Sequence, residues 1–234
     1  MLLDLIRGYV NGDSDFLSLL LHTVFIAIIV LIALSAHELA HGYIAYKLGD
    51  PTARNLGRLT MDPSKHLDPV GTISMLIFGF GWAKPVPINT RYFRNPRRDM
   101  ALSAFAGPIM NLIISFVAML IYSVLNAIFA HIPVYSEFAY NIMLYSLIFF
   151  VYMHQLNLYL AVFNLIPVPP LDGSRILFIF LPDRFYFGVM RYERYISLAI
   201  MLLLFSGALS GPLNFVTDII SNGMYNIIRL IPGL

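Results

Sequence analysis

Residues 17–41 read LSLLLHTVFIAIIVLIALSAHELAH, and the fold turns on how this stretch is taken. From Leu17 to Ala36 it carries no Asp, Glu, Lys or Arg. As a helix rising about 1.5 Å per residue, that run reaches about 30 Å, the thickness of a bilayer's hydrocarbon core. The helical period then continues through Ala40, Ile44, Ala45 and Leu48 until Gly49-Asp50-Pro51 stops it. One long spanning helix is therefore expected, with His37, Glu38 and His41 toward its C-terminal end.

The rest of the chain agrees with a bilayer as its solvent. Hydrophobic residues make up 59% of it and charged residues only 12%, which sets it apart from soluble domains of similar length. Further apolar runs predict a second span from about Met100 to Ala130 and a third from about Phe138 to Phe163. A shorter run, from about Tyr195 to Leu209, gives a fourth. The expected fold is an all-α polytopic membrane protein with about four transmembrane helices. Residues 1–16 lack the basic start and small-residue cleavage site of a signal peptide, so they are expected to be retained as an extracytoplasmic segment. Residues 17–211 form the membrane-embedded domain. Residues 212–234 alternate apolar positions with Asn214, Asp218, Asn222, Asn226 and Arg229, as an interfacial helix does.

Between the first two spans the pattern breaks. Val70 to Phe80 is apolar but too short to cross as a helix, and Phe78 to Asn89 carries the glycines and prolines of extended chain. Two readings stay open here, a re-entrant β-hairpin and an amphiphilic loop on the membrane surface. This region also holds Lys47, Arg54, Arg58, Lys65, Lys84, Arg91, Arg94, Arg97 and Arg98, nine of the fifteen cations, and so is expected on the cytoplasmic side. A net charge of +2 gives no reason to expect nucleic acid as a partner. With no cysteine, any metal must be held by nitrogen and oxygen.

His37 and His41 stand at i and i+4, neighbours on one helix face, with Glu38 between them. This is the pattern of a zinc clamp with a general base. Two imidazoles and a carboxylate at the end of an apolar helix are costly unless an ion or partner compensates them. A catalytic zinc takes three protein ligands and leaves its fourth position to water, so one more ligand is needed. Asp172 is the best candidate: it follows the third span, after the proline-rich turn 165–171, and span parity returns it to the leaflet where the first span ends. The competing reading makes it an Asp-Gly turn residue. Asn111 and Asn164 enter near the same leaflet and suit substrate-backbone or oxyanion contacts, or alternatively interhelical hydrogen bonds. His66, beside Asp68, is a lesser candidate as an extra ligand, with a turn or cap as the alternative. His154 reads as a packed core histidine, and His22 lies about four turns from His37.

Together, His37-Glu38-Leu39-Ala40-His41, Gly107-Pro108-Ile109-Met110-Asn111 and Asn164 through Asp172-Gly173 resemble the site-2 protease family of intramembrane metalloproteases. The resemblance covers roughly Leu17 to Leu181, and the Gly-Trp-Ala-Lys-Pro-Val-Pro stretch resembles its compact bacterial members, without PDZ or CBS domains. It implies one zinc per chain at His37, His41 and Asp172, with Glu38 activating water. It also implies cleavage of membrane-protein substrates in or near their transmembrane segments, by a site facing the cytoplasm of a bacterial plasma membrane. The rival reading is an inactive metal-binding membrane scaffold or a metal transporter.

Overall fold

A computed structural model of the chain describes Tyr9, Asn11 and residues 15–78, 84–182 and 188–234. The expected N-terminal segment lies almost wholly outside these residues. The first helix, α1, spans Phe16–Lys47; the Asp15 side chain caps it by accepting from Ser18 N at 3.0 Å. A short α2 (Thr52–Asn55) and α3 (Pro69–Phe78) follow, then α4 (Pro96–Phe129), which starts with its proline in the first turn where no N–H partner is lost. Next come α5 (Glu137–Asn164), capped by Ser136 Oγ accepting from Ala139 N, and α6 (Asp172–Leu177). Helices α7 (Glu193–Phe205) and α8 (Ser210–Ile228) complete the described chain.

Among the described residues, α1, α4 and α5 are the three helices long and apolar enough to cross a membrane. They match the first three expected spans to within a few residues. The expected fourth span is α7, whose 13 residues reach only about 20 Å, short of the hydrocarbon thickness. The fold is helical, with no strand among the described residues. Of the candidate hairpin over 78–89, Phe78 ends α3, 79–83 lie outside the described residues, and 84–89 run without regular structure.

Helices α1, α4 and α5 pack on one another. Ile26, Val30 and Leu34 step along one face of α1 against Tyr152, Leu156 and Leu160 of α5. The two helices therefore run side by side in the same direction, and their C-terminal ends meet. Around this seam Val24 and Ile28 of α1, Ile113 and Val117 of α4 and Ile142 of α5 remain exposed, the outward apolar surface that lipid covers. Helix α8, expected at the interface, packs its inner edge down α5: Leu213 sits with Leu158 and Val162, and Ser221 Oγ lies 2.9 Å from His154 Nε2. His154 also contacts Ser115 Oγ of α4 at 2.8 Å, so it knits three helices together as the expected core histidine.

Candidate metal centre

The end of α1 carries His37, Glu38 and His41, all buried. Asp172 reaches them because the turn after α5 folds back on itself. Gly173 makes that turn possible: a Cβ there would stand 2.3 Å from Leu165 O and 2.5 Å from Ile166 O, atoms of the backbone that cannot swing aside. Gly173→Ala is therefore expected to open the turn, cost about 1–3 kcal/mol as an overpacked site does, and lower bound zinc with it. Thermal denaturation and metal content of the purified variant read both effects.

His37 Nε2 and His41 Nε2 stand 2.9 Å apart, and Asp172 Oδ2 lies 3.1 and 3.2 Å from them. Three ligand atoms thus converge on one small space. His41 donates from Nδ1 to the Ser103 carbonyl at 2.7 Å, which leaves the Nε2 lone pair of the neutral ring turned toward that space. Ser103 Oγ donates in return to His41 O at 2.9 Å, so α4 grips the same turn of α1 twice. His37 Nδ1 is buried without a hydrogen-bond partner among the described residues. Two imidazole nitrogens and a carboxylate oxygen form a donor set suited to zinc, so the residues fit that ion.

Glu38 Oε2 accepts from Val86 N at 2.7 Å, which brings the extended segment 84–89 over the base. Behind the cluster lies a cavity of about 560 Å³, lined in part by His37, Glu38, His41, Val86, Asn111, Asn164 and Asp172. Asn111 is fully buried there, and neither of its amide atoms has a partner among the described residues. Asn164 donates from Nδ2 back to Leu160 O of its own helix. His66 does not join the cluster. It is buried below its own loop and donates from Nε2 to Thr60 O at 2.7 Å, because the loop is folded around that ring. His22 and His131 are likewise bonded locally, to Ser18 O and Ala127 O. Sequence reasoning missed Val86 and Ser103, since both act through backbone atoms that side-chain patterns do not report.

Three long apolar helices gather two buried histidines, a buried glutamate and a half-buried aspartate at one end, the donor set and carboxylate of a candidate metal centre in a multi-pass membrane protein. The comparisons with known proteins agree: peptidase family M50 matches residues 25–207, and the chain belongs to that family. It is 44% identical over 153 residues to YwhC of Bacillus subtilis (strain 168), provisionally named a zinc metalloprotease, covering 65% of this chain and 67% of that one. Rip2 of Mycobacterium tuberculosis (strain Erdman), also provisionally named a zinc metalloprotease, is 30% identical over 158 residues, 64% of this chain and 55% of its own length. The zinc metalloprotease MJ0392 of Methanocaldococcus jannaschii is 28% identical over 219 residues, 92% of this chain. That alignment spans 50% of MJ0392. No solved structure matches the chain.

Proposed function

We propose that the chain is an intramembrane zinc endopeptidase that hydrolyses peptide bonds in or near the transmembrane segments of other membrane proteins. The observation that carries this reading is the convergence of His37, His41 and Asp172 at the end of a membrane helix, beside Glu38 and a half-open cavity. One zinc held by these three ligands supplies Lewis acidity toward water and toward the scissile carbonyl.

Glu38 is the general base. Its Oε2 is held by the Val86 N–H, so Oε1 is the oxygen left to take the proton of the attacking water. As the C–N bond breaks, the same carboxyl returns a proton to the leaving amine. Asn111, whose amide atoms have no partner among the described residues, donates to the oxygen on which charge develops. Asn164 is the second such candidate. A substrate helix must unwind before its carbonyls are free, and segment 84–89, seated over Glu38, lies where the unwound chain would have to rest.

Lys47 ends α1 and Arg97 and Arg98 begin α4, at the end of the bundle that carries the site. The positive-inside rule therefore supports a site facing the cytoplasm of a bacterial plasma membrane. Transport or scaffolding would leave Glu38 and the unpaired Asn111 without a task. The first test is metal content: wild type purified in detergent is expected to hold about one zinc per chain, and Asp172→Ala much less, since a three-ligand site has no spare ligand. Equal zinc in the two proteins would remove Asp172 from the site and overturn the mechanism.

A further inference from the structure

Segment 84–89 has no helix or sheet to fix it, yet its backbone is tied at several points. Lys84 N donates to His66 O at 2.8 Å, Val86 N to Glu38 Oε2 at 2.7 Å, and Asn89 N to Asp50 Oδ2 at 2.6 Å. Pro85 and Pro87 have no N–H to offer. The remaining tie is Arg58, whose guanidinium donates to Lys84 O at 2.8 Å and to Pro85 O at 3.3 Å.

Arg58 is only 8% exposed. Its hydrogen-bond partners among the described residues are those two carbonyls, and its Nε has none. Among the described residues no carboxylate forms an ion pair with it, and a buried cation of that kind is poor material for stability alone, because its desolvation is not returned by an ion pair. What it does grip is specific. The Pro85 carbonyl and the Val86 N–H belong to one planar peptide unit. The guanidinium holds the oxygen end of that plane and the Glu38 carboxylate receives its N–H end. A positive group and a negative group thus stand at the matching ends of one peptide dipole, and each strengthens the other's bond.

The base of the grip is also fixed. Gly42 directly follows His41, and a Cβ there would come within 2.9 Å of Leu59 and 3.1 Å of Val86. Its missing side chain lets the residues next to Arg58, and the extended segment itself, seat directly on α1.

We propose that Arg58 is a positioning residue for the catalytic base: through the Pro85–Val86 peptide it holds the Val86 N–H on Glu38 and so fixes the carboxylate for proton transfer. This rests on the reading of Glu38 as the base. It gives a task to a loop that does not ligate metal, since His66, four residues beyond Met61-Asp62, supplies the carbonyl that anchors Lys84.

The test is a double-mutant cycle on the zinc-loaded protein, using a fluorescently labelled transmembrane peptide that wild type cleaves. Arg58→Ala is expected to lower kcat about ten- to hundredfold, as loss of an outer-shell partner does, with zinc content unchanged and a smaller change in KM. Val86→Pro, which removes the N–H and also fixes φ and trims the side chain beside Gly42, should lower kcat at least as much, and the double variant should add little to it. Arg58→Lys should recover part of the loss. Independently of activity, hydrogen exchange at Val86 should speed up at least about tenfold in Arg58→Ala while α4 and α5 stay protected. Additive effects of the two substitutions, or unchanged exchange at Val86, would overturn the proposal. Loss of zinc or of α4 protection in Arg58→Ala would also overturn it, marking the residue as structural only. If wild type cleaves no such peptide, the peptidase reading fails, and the exchange measurement still decides whether Arg58 holds the segment.

Discussion

Glu38→Gln is expected to keep its zinc and to lose hydrolysis by roughly three orders of magnitude, within the range set by removing a general base. The substitution is nearly isosteric, and a carboxamide oxygen can still accept the Val86 N–H that Glu38 Oε2 now accepts at 2.7 Å. Segment 84–89 should therefore stay seated, and His37 and His41 on the same helical turn should keep their geometry. What the amide cannot do is take a proton from water near neutral pH and return it to an amine. Kinetics with a cleaved transmembrane peptide, beside metal analysis of the same preparation, separate the two roles. Full activity would remove Glu38 from the chemistry, whereas joint loss of zinc and activity would make it a support of the ligands.

That His37, Glu38, His41 and Asp172 gather at one end of the bundle is legible from helix periodicity and span parity. His37 and His41 share a face because they are four residues apart, and Asp172 returns to them because two crossings, an even number, separate the ends. Both arguments survive ignorance of loop structure. The bonds that were not legible are those made by irregular backbone. Val86 meets Glu38 across 48 positions and Asn89 meets Asp50 across 39, with no period to announce either. Arg58 reads in the sequence as one of nine cations in a cytoplasmic region, and only the fold shows it buried. The fourth run is short even as read, about 22 Å from Tyr195 to Leu209, and the helix stops earlier still, at Phe205, where Gly207 turns the chain with φ of +74°. An apolar window measures composition and is blind to such a stop.

Gly107→Ala is expected to cost the chain most of its zinc, an effect out of proportion to one methyl group. A Cβ on residue 107 would stand 2.4 Å from His41 Nε2, 2.6 Å from His41 Cε1 and 2.7 Å from His37 Cε1. Something must move, and the structure closes the easy routes. His41 is held to α4 itself, by its Nδ1 on the Ser103 carbonyl and by Ser103 Oγ on its own carbonyl, one turn before the clash. Withdrawing α4 would break those two bonds, and withdrawing the imidazoles would pull two of three ligands out of place. Overpacking of this kind costs about 1–3 kcal/mol of stability, but the larger loss should fall on metal affinity, by at least about tenfold. Gly211→Ala is the matched control, since a Cβ at that helical position meets nothing within 4 Å and should leave zinc untouched. Zinc content and thermal denaturation of the two variants, side by side, distinguish a cramped metal centre from a weakened helix. Retention of zinc in Gly107→Ala would mean that the histidines do not face α4 as described, and the ligand set would have to be drawn again. Loss in that variant alone would show that the approach of α4 to α1, set by the absence of a side chain at one position, decides whether the ligands converge.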